Sequence, residues 1–212
     1  MNLANKLTIG RIITIPFFIV FMFMGNIYTR LAALVIFILA ALSDVYDGII
    51  ARHREEVTNF GSFIDPLADK LIVSAALISF VQLRELSIPA WMVIVVISRE
   101  FIITGLRSVA ASRGTIIPAS LSGKFKTTSQ MAVIITILII LIINVALRNY
   151  WRTTALELQA FLGWRRVVGY ILSKGPYWLM LLVTILTVIS GFNYIYKNRH
   201  MLFEEIRNKA TT

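Results

Sequence analysis

The sequence contains no cysteine and only two histidines, His53 and His200. Disulfides, thiolate metal sites and a histidine metal centre are therefore excluded. Charged residues are also scarce, at 15%, whereas hydrophobic residues make up 58% and the mean hydropathy is +0.78. A soluble protein of this length carries more charge and less apolar surface. The composition therefore predicts an integral membrane protein.

Six apolar stretches predict six membrane-spanning helices, at about 13–24, 31–42, 71–83, 88–97, 131–147 and 177–189. Several are shorter than the roughly 20 residues that cross a bilayer, so we expect those helices to carry polar residues inside the membrane. No internal repeat, low-complexity tract or soluble domain boundary interrupts the chain. We therefore expect an all-α bundle of six transmembrane helices that forms one domain over residues 1–212.

The chain is basic, with 21 lysines and arginines against 11 acidic residues and a net charge of +10. In a membrane protein this excess sets orientation and does not indicate nucleic acid. With six spans, 14 basic residues, among them Lys70, Arg99 and Lys126, fall on the side of both termini, and seven, among them Arg30 and Arg148, fall on the other. The positive-inside rule then places both termini in the cytoplasm.

Two segments of the chain are predicted to lie outside the bundle. The connection at about 148–174 carries Trp151, Trp164 and Tyr170, which favour an interfacial segment on the extracytoplasmic surface. The residues at about 198–212 are predicted to form a short cytoplasmic tail.

Two consecutive predicted spans each carry two aspartates in one stripe of small residues. The stripes are Asp44, Asp47, Gly48 and Ala51 on the second span, and Gly61, Asp65 and Asp69 on the third. Spacings of three and four residues put the members of a stripe on one helical face. Carboxylates are the ligands of hard divalent cations, and small residues allow helices or a ligand to come close. The stripes are predicted to form the two halves of one metal site.

The depth of these aspartates supports a bound cation. The apolar stretch before Asp44 covers about 18 Å of helix, which leaves Asp44 about 10 Å short of the inner edge of a roughly 30 Å hydrocarbon layer. Four uncompensated aspartates would cost roughly 10 kcal/mol or more. Arg52 and Lys70 each supply one positive charge, whereas one or two divalent ions match four carboxylates. The alternative is that the aspartates pair with basic residues and only hold the bundle together. Pro66 is expected to mark a kink or the start of the third helix.

At these residues the sequence resembles the CDP-alcohol phosphatidyltransferases, whose signature is D-x2-D-G-x2-A-R-x8-G-x3-D-x3-D. All eight fixed positions, from Asp44 to Asp69, are present at the required spacing. The resemblance implies a six-helix membrane enzyme of the bacterial plasma membrane, usually a homodimer, whose active site opens to the cytoplasm. It further implies that Mg²⁺ or Mn²⁺, as two ions, is held by Asp44, Asp47, Asp65 and Asp69, and that CDP-diacylglycerol is the donor.

Three further stretches resemble family members that use sn-glycerol 3-phosphate as acceptor and release phosphatidylglycerol phosphate and CMP. They are Asn5–Arg11, Ser98–Arg107 and Gly123–Thr127. Other acceptors, such as serine or inositol phosphate, remain alternatives. A cation or proton transporter and an inert membrane scaffold are more distant ones.

The resemblance and the residue chemistry together assign roles. Asp69, the last acid of its stripe, is the expected catalytic base for the glycerol 1-hydroxyl, in a single displacement; a carboxylate nucleophile remains open. The acceptor phosphate needs cations, which Arg99, Arg107, Lys124 and Lys126 would supply, although membrane topology also accounts for basic residues there. The expected CDP-diacylglycerol site comprises Asn5, Thr8, Arg11, Asp44, Gly48, Ala51, Arg52 and Gly61.

Overall fold

The computed structural model describes the backbone of residues 3–54, 59–112 and 121–209, and the side chains of residues 9–43, 70–110 and 126–199. These residues form helices and no strand. The helices are α1 (Leu3–Phe23), α2 (Ile27–Arg54), α3 (Asn59–Gln82), α4 (Ala90–Ser112), α5 (Leu121–Tyr150), α6 (Ala155–Leu158) and α7 (Trp164–Lys209), with one 3₁₀ turn at Arg84–Leu86. The predicted all-α class is confirmed.

The helices are longer than the apolar stretches that predicted them. α4 runs from Ala90 to Ser112 and takes in the charged pair Arg99 and Glu100. α3 begins at Asn59, upstream of Pro66, so this proline does not mark the start of the helix. The last helix differs most, because α7 has 46 residues and begins inside the segment predicted to be interfacial. At 1.5 Å per residue it is about 69 Å long, more than twice the thickness of a hydrocarbon layer.

The core of the bundle is apolar and draws on every long helix. Its fully buried side chains include Phe18, Met22, Phe37, Phe80, Met92, Ile137, Leu141 and Met180. α1 packs against α2 and α3, α5 packs against α2 and α7, and α4 packs against α3 and α7. Gly25, with φ +68°, ends α1 in the left-handed conformation and allows the chain to turn directly into α2.

The outer surface of the bundle is apolar as well. Phe17, Leu39, Ile94 and Phe192 each expose more than half of their surface. Within the described part of the chain, Lys126–Tyr150 and Trp164–Arg199 are long and apolar enough to cross a membrane, and Ile9–Phe23, Ile27–Ser43 and Lys70–Gln82 are shorter apolar helices. An apolar exterior of this extent requires a lipid environment or a partner. These apolar helices fit a membrane protein.

An ion-pair cluster joins three elements at one end of the bundle. Glu85, in the 3₁₀ turn, contacts the guanidinium of Arg30 on α2 and accepts a 3.1 Å hydrogen bond from Nη2 of Arg148 on α5. Arg30 is 5% exposed and also donates to the carbonyl of Leu141 at 3.0 Å. Arg30 and Arg148 were both assigned to the extracytoplasmic side by the distribution of basic residues, and the structure brings them together. We call this group the Glu85 cluster.

Within the segment 148–174, α6 packs against the first turns of α7. Thr154 caps α6 in a reciprocal arrangement with Glu157, at 3.2 and 3.0 Å. Gln159 Nε2 donates to the carbonyl of Gly169 at 3.3 Å and contacts Ser173 on α7. In the same segment, the side chains of Trp151, Leu162 and Trp164 are exposed.

Candidate functional site

The four signature aspartates lie on consecutive helices, Asp44 and Asp47 on α2 and Asp65 and Asp69 on α3. Both backbones are helical through these positions. Their side chains lie outside the described residues, as do those of Asn5, Thr8, Gly48, Ala51, Arg52, Gly61 and Lys124. The described side chains include no group of three histidines, cysteines or acidic residues that would hold a metal. Convergence of the four carboxylates therefore stays a prediction.

A second cluster of charged side chains, which the structure describes, centres on Glu100 of α4. Its carboxylate contacts Lys126 of α5, lies 3.6 Å from Nζ of Lys70 on α3, and lies 3.9 Å from Nη1 of Arg99. All four side chains are at most 20% exposed, and Lys126 is only 2% exposed. One carboxylate thus holds three cations from three helices. We call this group the Glu100 cluster.

The formal charge of the Glu100 cluster is positive. Among the described side chains, the cluster sets three cations against one carboxylate, an excess of two positive charges at the contact of α3, α4 and α5. A phosphate monoester carries about −1.5 to −2 at pH 7. Charge of this size in a poorly solvated position is costly unless an anion shares it. The arrangement is therefore suited to binding a phosphate group.

Lys70 connects this cluster to the aspartate signature. It directly follows Asp69 on α3, and its ammonium group reaches the carboxylate of Glu100. The last signature aspartate and the cation cluster are therefore next to each other on one helix.

Of the four residues predicted to bind the acceptor phosphate, the structure describes the side chains of Arg99, Arg107 and Lys126. Arg99 and Lys126 come together on Glu100. Arg107 lies on α4 about two turns beyond Arg99 and is exposed. Its positive charge repels that of Arg99. On α1, the predicted donor-site residue Arg11 is 5% exposed, and its carbonyl accepts a 2.7 Å hydrogen bond from Thr14.

Two members of the Glu100 cluster were missed as site residues from the sequence. Lys70 was considered only as a neutralising charge for the aspartates, and Glu100 was assigned no role. The available signal was the position of an acidic residue deep in an otherwise apolar helix, since such a residue needs a partner. Its partners on α3 and α5 are distant in sequence, and helical periodicity does not identify them.

Comparisons with known proteins show the family of this chain. A family model for CDP-alcohol phosphatidyltransferases matches residues 1–172. A Bacillus subtilis protein named CDP-diacylglycerol–glycerol-3-phosphate 3-phosphatidyltransferase is 47% identical over 150 residues, covering 65% of this chain and 77% of the relative.

Two more relatives extend the comparison. A Sodalis glossinidius protein of the same name is 32% identical over 209 residues, covering 96% of this chain and 98% of the relative. A Mycobacterium tuberculosis protein named probable phosphatidylglycerophosphate synthase is 40% identical over 136 residues, covering 63% of this chain and 64% of its own length. With most of its length matched by the family model and by a relative aligned almost end to end, this chain belongs to the CDP-alcohol phosphatidyltransferase family.

Proposed function

We infer that this protein is an enzyme that transfers the phosphatidyl group of CDP-diacylglycerol to sn-glycerol 3-phosphate, giving phosphatidylglycerol phosphate and CMP. The names of its relatives support this reaction. The observation that carries it in the structure is the Glu100 cluster, whose charge suits the phosphate of the acceptor and which adjoins the last signature aspartate. An acceptor that carries a phosphate would use these cations, whereas serine would not.

The aspartates suit a divalent metal by the chemistry of the donor set. Four carboxylates on two consecutive helices supply the oxygen ligands that Mg²⁺ and Mn²⁺ prefer, and we propose that Asp44, Asp47, Asp65 and Asp69 hold two such ions. When bound, the metal supplies positive charge that offsets the negative charge of the diphosphate and of the departing CMP. The donor would also contact Asn5, Thr8 and Arg11 on α1 and Gly48, Ala51, Arg52 and Gly61 near the aspartates.

Asp69 is the proposed base. It would accept the proton of the glycerol 1-hydroxyl as that oxygen attacks the phosphorus on the lipid side of the diphosphate. The new oxygen–phosphorus bond forms as the bond from this phosphorus to the CMP oxygen breaks, and CMP leaves with the electron pair. The step moves a negatively charged phosphorus group from one oxygen to another, so the protein contributes mainly positioning and charge neutralisation.

The acceptor phosphate would lie on the Glu100 cluster, bound by Arg99 and Lys126 and extended toward Arg107 and Lys124. A guanidinium group favours two-point contact with phosphate oxygens. We propose that the free hydroxyl end of the molecule then reaches Asp69, which directly precedes Lys70 on α3. Binding at one end and reaction at the other converts the transfer into an effectively intramolecular step.

We propose that the chain crosses a bacterial plasma membrane six times, as one domain over 1–212, with both termini and the active site on the cytoplasmic side. The Glu85 cluster and the Glu100 cluster support this orientation, since each gathers residues assigned to one side by the positive-inside count. From Arg30 to Asp47, α2 rises about 26 Å, so Asp47 would lie near the inner edge of a hydrocarbon layer of about 30 Å and Asp44 one turn deeper. The segment 148–174 would lie on the outer surface, the tail 198–212 in the cytoplasm, and the enzyme would function as a homodimer among membrane lipids.

Release of CMP tests the reaction class. Purified protein in phospholipid micelles with Mg²⁺, CDP-diacylglycerol and sn-glycerol 3-phosphate should release CMP in step with lipid product. A cation or proton transporter, or an inert scaffold, would release none. Absence of CMP from folded protein would overturn the proposed function.

Replacing Asp69 by asparagine tests its role as base. The amide keeps the size of the side chain but cannot take a proton, so we expect Asp69→Asn to lower turnover by roughly 10²-fold or more. CDP-diacylglycerol should still bind, because Asp44, Asp47 and Asp65 remain to hold metal. Binding is measured by the donor-dependent rise in melting temperature. Substantial residual turnover would remove the assignment.

A further inference from the structure

The Arg99 side chain of α4 contacts α7 near residue 190. This part of α7 lies beyond residues 1–172, which the family model matches. Its Nη2 donates a 2.7 Å hydrogen bond to Oγ of Ser190. Ser190 is 4% exposed and the Arg99 side chain 15% exposed. The bond is therefore screened from water, and an arginine hydrogen bond of this kind fixes the plane of the guanidinium.

Gly191 provides the space in which the Arg99 side chain lies. A Cβ added at Gly191 would come within 3.2 Å of Cγ and 3.7 Å of Nε of Arg99. The first distance is shorter than ordinary carbon contacts, so any larger residue would displace the arginine stem. The aliphatic part of Arg99 thus runs across the backbone of α7 at Gly191, where an added methyl group would require the arginine to shift by a few tenths of an ångström.

One turn farther along each helix, apolar packing fixes the distance between α4 and α7. Tyr194 on α7 is 5% exposed and packs against Ile103 on α4, which is 4% exposed. Ile103 lies one turn after Arg99, and Tyr194 one turn after Ser190. The hydrogen bond and the glycine contact are therefore backed by a rigid contact, and α7 cannot move away from Arg99 without exposing this pair.

We propose that Ser190 and Gly191 are positioning residues for the acceptor, which hold the Arg99 guanidinium in the orientation that binds the phosphate of sn-glycerol 3-phosphate. The inference rests on the proposed function, in which Arg99 binds that phosphate. Arg99 faces a carboxylate on one side, Glu100, and a hydroxyl on the other. With Nη1 near Glu100 and Nη2 on Ser190, the guanidinium is held at two points before the substrate arrives.

Preorganisation of this kind affects one substrate and not the other. An arginine free to rotate must be ordered by the phosphate itself, and this cost lowers the affinity for the acceptor. The donor would be bound on α1, α2 and α3, away from Ser190. Loosening Arg99 should therefore raise the KM for sn-glycerol 3-phosphate and leave the KM for CDP-diacylglycerol unchanged.

Ser190→Ala and Gly191→Ala test the proposal, with Gly175→Ala as the matched control. Gly175 is also inside α7, and an added Cβ there meets only ordinary contacts, at 3.8 Å from Ile171 and 3.9 Å from Ile140. All three variants are assayed for both KM values and for melting temperature. Loss of one net hydrogen bond should raise the acceptor KM roughly two- to tenfold in Ser190→Ala, with a similar rise in Gly191→Ala. Gly175→Ala should match the parent protein.

Arg99→Ala separates failure of this proposal from failure of the proposed function. If Arg99→Ala raises the acceptor KM but Ser190→Ala and Gly191→Ala do not, the positioning role is refuted and the acceptor site stands. If Arg99→Ala leaves the acceptor KM unchanged, Arg99 does not bind the phosphate and the site assignment fails with it. Should Gly191→Ala not fold, Ser190→Ala decides, because it removes one oxygen and adds no volume. Equal rises in both KM values in Ser190→Ala would indicate a general structural effect and would overturn the proposal.

Discussion

At the scale of single residues, Glu100 has two opposing effects on the acceptor site. Its negative charge reduces the attraction of the cluster for phosphate, but it also gathers Lys70, Arg99 and Lys126 in one place. Lys126 is almost fully buried, and a buried cation without a partner is strongly destabilising. We therefore interpret Glu100 as the residue that keeps the site folded while it is empty.

This interpretation predicts the stability of Glu100→Gln. Breaking a buried ion pair costs about 3 to 5 kcal/mol, and we expect the lower end because Glu100 retains 20% exposure. The melting temperature should fall, and inorganic phosphate or sn-glycerol 3-phosphate should restore more of it than either anion adds to the parent protein, since the anion replaces the missing carboxylate.

Glu85→Gln is the matched control for this experiment. It also removes a carboxylate that bridges two arginines, but at the other end of the bundle. Its melting temperature should fall without recovery in phosphate. An unchanged melting temperature in Glu100→Gln, or equal recovery in both variants, would contradict the assigned role of Glu100.

At the scale of elements, α7 has two functions along its length. Its first turns support α6, and its later turns contact Arg99 of α4. The sequence predicted only the apolar stretch at 177–189, because hydropathy reports the part of a helix inside lipid and not its polar ends. The charged residues before and after that stretch were predicted to belong to the interfacial segment and to the tail, although both groups continue the same helix.

The contact of α6 with α7 depends on Gly169. A Cβ there would lie 2.7 Å from the carbonyl oxygen of Ala155 and 2.8 Å from the backbone nitrogen of Gln159. Backbone atoms cannot rotate away, so Gly169→Ala should displace α6, at a cost of about 1 to 3 kcal/mol typical of overpacking. We expect faster tryptic cleavage at Arg152, Arg165 or Arg166, measured by mass spectrometry of time points, with kcat retained.

Gly175→Ala, with ordinary contacts on the same helix, again serves as the control. Its cleavage rate should equal that of the parent protein. A Gly169→Ala variant as resistant to trypsin as this control would show that α6 tolerates the added methyl group, and the close packing inferred here would be wrong.

At the scale of the whole molecule, the family and the all-α class could be predicted because they depend on local information. The aspartate signature is read from spacing within two adjacent helices, and the class from apolar runs. The Glu100 cluster could not be predicted in full, since it depends on which faces of α3, α4 and α5 meet. Ser190 was missed for the same reason, because nothing near it in sequence indicates a contact with Arg99.

The absence of cysteine makes the proposed orientation directly testable, since a single introduced cysteine is the only thiol of the chain. Leu162 is 88% exposed in the segment expected on the outer surface. Leu162→Cys in intact bacterial cells should react with a membrane-impermeant maleimide, and Thr211→Cys should react only after the cells are permeabilised. The reverse labelling pattern would invert the proposed orientation.

The central claim is that the phosphatidyl group passes to sn-glycerol 3-phosphate at this site. Its most direct test supplies purified protein and Mg²⁺ with CDP-diacylglycerol labelled in its acyl chains, and with sn-glycerol 3-phosphate, serine or inositol phosphate in separate reactions. The account predicts labelled phosphatidylglycerol phosphate, with one CMP released per lipid formed, only where sn-glycerol 3-phosphate is present. Labelled product formed preferentially with serine or inositol phosphate would contradict it.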